Sequence, residues 1–261
     1  MSAPITDPWL QPLRPADQSA AVVAERRDRL VCWPPAGGSA TFFHPFAAAL
    51  PEADVWAVQP PGRANRRRTP PVTVPEEAAD SVLAALDKLP PTDGRLVFMG
   101  HSMGAAMTHL LATRAPAPPD LVVLSAWPVP GQFVRHPLGK PTAELTTDDL
   151  FAFLRSLDTP GMADLDEALV AEYLLPPLRS DLLLGDALAA MTDRTWTKSP
   201  VLLVAADDDP VFSPAEVAAW GDVVDVRAHV RLTGGHFALS AHVDTVAEAI
   251  RRALAHPVPG S

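Results

Sequence analysis

Short apolar runs recur along this chain, and between them the apolar positions return every three or four residues. Residues 96–100, 121–125 and 201–205 are near-continuous apolar runs closed by turn residues. That is the pattern of parallel strands covered on both faces. Residues 29–33 and 54–58 are shorter β-rich runs, and residues 226–232 are expected to add one more strand. Helical periodicity predicts helices over residues 40–50, 75–89, 103–115 and 241–255. In the last of these, Val243, Val246, Ile250 and Leu254 fall at spacings of three and four, one face of a helix. Strand alternating with helix predicts an α/β sheet.

Residues 146–195 break the alternation. Leu150, Phe151, Phe153, Leu154 and Leu157 are followed by Leu174, Leu175, Leu178 and Leu182 to Leu184, with no strand among them. An all-helical insertion after a strand is expected to form a lid over the C-terminal edge of the sheet, where ligand sites of α/β folds lie. The alternative is a set of ordinary packing helices.

Composition narrows the picture. A length of 261 residues suits one domain with a sizeable core, spanning 1–261, and no internal repeat or low-complexity linker divides it. Apolar residues make up 48 %, which argues against disorder, and no apolar run approaches the ~20 residues of a membrane span. The first residues are polar and Pro-rich and lack the basic start and apolar core of a secretory signal. Cys32 is the only cysteine, so an intramolecular disulfide and a Cys-based metal site are excluded. A cytoplasmic protein is expected. The net charge of −10 argues against general nucleic-acid binding.

The chemistry centres on Gly100-His101-Ser102-Met103-Gly104, which matches the nucleophile elbow Gly-x-Ser-x-Gly. It follows a predicted strand and opens a predicted helix. A serine in that turn takes strained dihedrals, and the close approach of the flanking chains demands small residues on both sides. The helix N-terminus adds a field that favours a developing anion. Together these features predict an α/β-hydrolase fold with a mostly parallel sheet, flanking helices and a helical lid.

A serine hydroxyl needs a base, and the base needs an orienting acid, in the chain order Ser, acid, His. His236 sits in Thr233-Gly234-Gly235-His236-Phe237, after the last strand and before the last helix, where the fold puts its base. His229 lies inside a predicted strand, His242 inside a predicted helix and His256 in a Pro-rich tail. The acid is left open by the residues alone: Asp207, Asp208 and Asp209 all follow the strand that ends near Ala205. For the oxyanion, one donor is expected to be the N–H of Met103. The second falls to the loop Trp33-Pro34-Pro35-Ala36-Gly37-Gly38-Ser39, whose prolines carry no N–H, so that Ala36 is the first available donor.

Several segments together resemble the stand-alone type II thioesterases that accompany polyketide synthases and nonribosomal peptide synthetases. They are Pro35-Ala36-Gly37-Gly38 with Phe42-Phe43, then Gln59-Pro60-Pro61-Gly62-Arg63, then the elbow. Further on come Leu178-Arg179-Ser180-Asp181, residues 207–210 with Trp220, and Gly234-Gly235-His236-Phe237. The resemblance implies Asp209 as the acid, since that aspartate directly precedes the turn proline, and Ala36 and Met103 as oxyanion donors. Two positions depart from the family pattern: Pro35 stands where an aromatic or histidine is common, and Ala205 or Ala206 where a glycine is usual. The function it implies is hydrolysis of acyl groups from the phosphopantetheine arm of an acyl carrier protein or peptidyl carrier protein. Such enzymes need no metal and no redox cofactor, and the partners expected are neither nucleic acid nor membrane.

Alternative functions are a general carboxylesterase, an acyl-transferring or cyclising thioesterase, and a non-catalytic carrier-protein-binding module. Arg63, Arg66, Arg67 and Arg68 form a basic run in an acidic chain. Two roles are open to it: contact with a carrier protein or the arm's phosphate, or a solvated loop.

Overall fold

The computed structural model describes residues 7–13, 28–131, 139–157, 164–191 and 195–255. Seven strands form one sheet in the order β1-β3-β2-β4-β5-β6-β7. They are β1 (Leu10–Pro12), β2 (Arg29–Trp33), β3 (Asp54–Val58), β4 (Leu96–His101), β5 (Leu121–Ser125), β6 (Val201–Ala206) and β7 (Val226–Leu232). All neighbours pair in parallel except β1, which runs antiparallel to β3 at the edge.

The apolar runs are buried on both sides because successive side chains point to opposite faces. Val31, Trp33, Phe98, Val122, Leu124 and Leu203 feed one core, and Leu30, Cys32, Val97, Met99, Val123 and Leu202 feed the other. The first core is closed by α2 (Pro75–Asp87) and α3 (Met103–Arg114). The second is closed by α1 (His44–Ala49) and by α9 (Val243–Ala255), which buries Val246, Ala247, Ile250 and Ala253.

Three expectations shift in detail. The helix expected over residues 40–50 is a 3₁₀ turn, Ala40–Phe43, passing into α1 with Pro45 in the first turn, where its missing N–H costs nothing. The helix expected over residues 241–255 is two helices, α8 (Ala238–Ala241) and α9, so His242 lies at their junction and contacts the Thr233 carbonyl at 3.0 Å. Strand β1 was not visible in the Pro-rich N-terminal segment; its Pro12 is tolerated because the strand is at the sheet edge. A short helix, α7 (Pro214–Ala218), also follows β6.

The expected insertion is helical throughout its described part. Helix α4 (Thr147–Ser156) is closed at its start by a capping box between Thr146 and Asp149. A short α5 (Glu167–Leu169) continues through a π-helical turn, Val170–Leu174, into α6 (Leu175–Ala190). Leu145, Leu150, Leu154, Val170, Leu175 and Leu178 form a cluster separate from the two sheet cores. No helix among the described residues is long and apolar enough to cross a membrane.

Candidate active site

Strand β4 ends and α3 begins across Ser102, whose backbone sits at φ 56°, ψ −132°. A positive φ at a non-glycine residue is strained and persists only where the surroundings fix it. Here the Ser102 N–H donates to the Ser125 carbonyl at 2.8 Å, and its own carbonyl accepts from the Ala105 N–H at 2.7 Å. The glycines on either side are required by space. A Cβ on Gly100 would overlap the Gly104 carbonyl and Thr108 Oγ1, and one on Gly104 would overlap the Trp33 and Pro34 carbonyls.

From Ser102 a chain of hydrogen bonds runs inward. Ser102 Oγ donates to His236 Nε2 at 2.9 Å, and His236 Nδ1 donates to Asp209 Oδ2 at 2.8 Å. The His236 ring and the Asp209 carboxylate are buried, with side-chain exposures of 3 % and 0 %. The other Asp209 oxygen accepts the N–H groups of Val211 (2.8 Å) and Phe212 (3.3 Å), so the Asp-Pro turn after β6 locks the carboxylate in place. Asp207 turns outward to Arg231, at 2.8 Å, and Asp208 is exposed. Of the three adjacent aspartates, the structure brings only Asp209 to His236.

His101, the middle residue of the elbow, had no expected role. It is buried, stacks on Phe42 with centroids 5.6 Å apart, lies 5.0 Å from the His236 ring and contacts Ser125 Oγ at 3.0 Å. Burial, reinforced by the neighbouring His236, holds its pKa well below the ordinary histidine value. The ring is therefore held neutral beside His236.

Above this edge lies a cavity of about 810 Å³. Ser102 and His236 open into it, and so do Ala36 and Met103. Its walls are mainly apolar: Phe153, Leu154, Leu157, Leu174, Leu178 and Leu182 come from the helical insertion, and Trp127, Val211 and Phe212 from loops at the sheet edge. The insertion is thus a roof over Ser102, and both Leu174 and Leu178 face the chamber.

The loop after β2 is held by distant residues. Gly37 donates its N–H to Asp181 Oδ2 of α6 at 2.7 Å, and Gly38 gives its carbonyl to Arg63 Nη1 at 3.0 Å. Arg63 and Asp181 form a bidentate pair: Nη2 to Oδ1 spans 2.7 Å, and Nη1 meets Oδ2. The Ala40 N–H donates to Gln59 Oε1 at 3.2 Å. These contacts revise the reading of the basic run. Arg63 is buried in its ion pair, and Arg66 is buried with its guanidinium 4.4 Å above the Trp9 ring, donating to the Gln59 carbonyl at 2.8 Å. Neither belongs to a solvated loop or to a surface open to a partner. Arg67 and Arg68 remain exposed, with Arg67 lying 5.4 Å from the Tyr173 ring.

A family model described as "Thioesterase domain" matches residues 28–254. The chain belongs to the thioesterase domain family. Among curated relatives of this thioesterase, it is 33 % identical over 257 residues to a probable cadicidin biosynthesis thioesterase of Streptomyces griseus, covering 95 % of this chain and 66 % of the relative. It is 32 % identical over 243 residues to the thioesterase PikA5 of Streptomyces venezuelae, covering 89 % of this chain and 80 % of the relative. The chain therefore spans just under two thirds of the first relative's length. Among solved structures, the type II thioesterase BorB from the borrelidin biosynthetic cluster superposes with a TM-score of 0.78 at 34 % identity, covering 95 % of this chain and 98 % of that one. The thioesterase has the α/β-hydrolase fold, as the elbow and the alternating pattern predicted.

Sequence reasoning missed the contacts that tie the segments of this thioesterase together. Gln59, Arg63 and Asp181 stood out as family markers with no partner inside the chain assigned to any of them. Their spacing of four and then 118 residues hides that all three converge on one loop. The one available signal was an arginine directly after the Pro60-Pro61-Gly62 turn, and its position in a basic run concealed it.

Proposed function

We propose that this chain is a type II thioesterase that hydrolyses acyl groups from the phosphopantetheine arm of a carrier protein in a polyketide or nonribosomal peptide assembly line. The observation that carries the reading is the Ser102–His236–Asp209 hydrogen-bond chain in the floor of an apolar chamber of about 810 Å³. A chamber of that size and character accepts an acyl chain and gives a charged substrate little reason to enter.

In this reading Ser102 is the nucleophile, His236 the general base and Asp209 the group that fixes the imidazole tautomer. As Ser102 Oγ attacks the thioester carbonyl carbon, His236 Nε2 takes its proton and the carbonyl electrons move to oxygen. The backbone N–H groups of Ala36 and Met103 receive that oxyanion, with Met103 at the start of α3 adding the field of the helix N-terminus. Asp209 stabilises the imidazolium. Collapse of the intermediate breaks the C–S bond, and the imidazolium protonates the departing sulfur. The acyl group is left as an ester on Ser102. Water, deprotonated by His236, then attacks the ester; a second collapse returns the proton to Ser102 and releases the free acid.

The test is a panel of acyl carrier proteins and peptidyl carrier proteins bearing acyl chains of graded length, set against oxoesters of the same acids. The expected result is release of free acid from the carriers with a kcat/KM at least tenfold above that for the oxoesters. Equal rates on carrier-free oxoesters would make the chain a general carboxylesterase, and a cyclic or transferred product would make it an acyltransferase.

A further inference from the structure

The loop that carries Ala36 owes its shape to a residue on the roof. Gly37 follows Ala36 and has a positive φ of 74°. Glycine occupies either hand of the backbone map at little cost, so the peptide plane between Ala36 and Gly37 has no intrinsic preference strong enough to fix it. What fixes it is Asp181, whose Oδ2 accepts the Gly37 N–H at 2.7 Å from the middle of α6. Asp181 is itself held: it is buried, with 4 % of its surface exposed, and paired in bidentate fashion with Arg63, which also binds the loop two peptides further on, through the Gly38 carbonyl. The loop thus has a carboxylate on the peptide before Gly37 and a guanidinium on the peptide after Gly38, and the two clamp each other. Apolar packing follows the same line. A Cβ built on Gly37 would lie 3.4 Å from Leu178 Cβ and 3.5 Å from Leu174 Cδ1, so the loop and α6 are already in contact.

We propose that Asp181, braced by Arg63, is the positioning residue of the oxyanion hole: its bond to the Gly37 N–H fixes the peptide that follows Ala36, and through it the backbone of Ala36 that aims the Ala36 N–H. This rests on the reading of Ala36 as an oxyanion donor. It makes the hole a joint product of the β2 loop and the lid. A donor that is preorganised acts on the transition state and hardly on the ground state. Loss of Asp181 is therefore expected in kcat, with KM largely spared.

Removing one member of a buried pair leaves the other charge uncompensated, whereas replacing both by apolar groups of similar volume is often neutral for the fold. The primary variant is therefore Arg63→Met combined with Asp181→Leu. Two measurements are made on parent and variant. One is kcat and KM on an acyl-phosphopantetheine carrier. The other is the affinity of an alkyl boronic acid, which forms a tetrahedral adduct on serine and puts an oxygen into the hole. The expected result is a fall of about 10² in kcat and in boronate affinity alike, with KM within threefold, since loss of one oxyanion donor costs about that much. A folded variant with kcat and boronate affinity within threefold of the parent overturns the proposal, as does a change confined to KM. Should the double variant fail to fold, Asp181→Asn takes its place, offering one carbonyl oxygen to three donors. Equal losses of at least threefold in kcat and boronate affinity support the proposal, and unequal losses overturn it. A parent that binds boronate yet leaves carrier thioesters intact refutes the proposed substrate while the boronate comparison still decides the role of Asp181.

Discussion

The floor and the roof of the chamber both contain buried glycines, and they are there for opposite reasons. In the floor, Gly100 and Gly104 have no space for a single added carbon, because the Gly104 carbonyl and Thr108 Oγ1 occupy it at Gly100, and the Trp33 and Pro34 carbonyls at Gly104. In the roof, Gly185 of α6 has room: a Cβ there would sit at ordinary contact distance from Met103 Cγ (3.6 Å) and Trp127 (3.7 Å). The floor is specified by main-chain sterics and by hydrogen bonds with one solution. The roof is specified by apolar volume, for which many solutions exist. Reaction chemistry belongs to the first kind of construction, which reaches into the roof at Asp181, and substrate choice to the second. Substitutions in the floor should therefore lower the rate on every substrate, and substitutions among the apolar residues of the roof should redistribute rate among substrates.

The most severe test of the floor is Ser102→Ala. With the proposed nucleophile removed, hydrolysis is expected to fall by at least ~10³ on all acyl lengths, with an unchanged melting temperature; comparable losses in a serine protease reach about 10⁶. Turnover within tenfold of the parent would remove Ser102 from the chemistry.

Asp209→Asn is expected to cost less, on the order of 10²–10⁴ in kcat, because the amide disturbs the tautomer and leaves the nucleophile in place. Asp207→Asn and Asp208→Asn should stay within threefold of the parent, since neither side chain reaches His236. A crippled Asp207 or Asp208 variant beside an intact Asp209 variant would transfer the role.

These three aspartates show where the sequence was readable. Ser102 and His236 were legible because each lies in a local motif whose geometry is set by its immediate neighbours: the glycines of the elbow and the Gly234-Gly235 turn. Asp209 was distinguishable from Asp207 and Asp208 only by family resemblance. The decisive contact spans 27 residues, and the local bonds from Val211 and Phe212 that aim the carboxylate depend on the turn actually formed. The parallel strands were legible because burial on both faces leaves continuous apolar runs. Strand β1, three residues long and held by pairing to β3, leaves no such trace. Least legible were Arg63 and Arg66, whose charges looked like surface chemistry but are buried against Asp181, and against Trp9 and the Gln59 carbonyl, respectively.

Acid should loosen the sheet side first. His109, in α3 against the Trp196 and Trp220 rings, has its pKa lowered by burial from the ordinary 6.5 to about 4, and His101 is lowered in the same direction. Between those two values the unfolded chain binds a proton at His109 that the folded chain refuses. The stability is thus fully present above pH 6.5 and is lost as pH falls toward 4, by an amount on the order of 3 kcal/mol for His109 alone. The melting temperature is expected to drop between pH 7 and pH 5, and His109→Phe should flatten that slope. An unchanged slope in His109→Phe would assign the acid sensitivity to other groups.

The smallest effects, and the sharpest test of the comparison, belong to the roof. Leu174→Ala removes volume from the chamber wall and Gly185→Ala adds one carbon to it, so the two should move acyl-length preference in opposite directions. Each methylene that gains or loses a place in the apolar chamber is worth ~0.8 kcal/mol, roughly fourfold in kcat/KM. Leu174→Ala should therefore raise relative kcat/KM on chains longer than the parent's optimum. Gly185→Ala should lower it for long or α-branched chains, because the added carbon lies beside Met103, which follows Ser102 in the chamber wall. Gly185→Ala should also raise the melting temperature, since alanine gains roughly 1 kcal/mol over glycine inside a helix. Leu178→Ala is the mixed case: Leu178 faces the chamber and also packs on Gly37, so a length shift should come with a general loss of kcat. Measuring kcat/KM against acyl length for the parent and all three variants separates these outcomes. If Leu174→Ala and Gly185→Ala instead lower every substrate by one common factor, the roof acts on the chemistry as the floor does, and the division between the two fails.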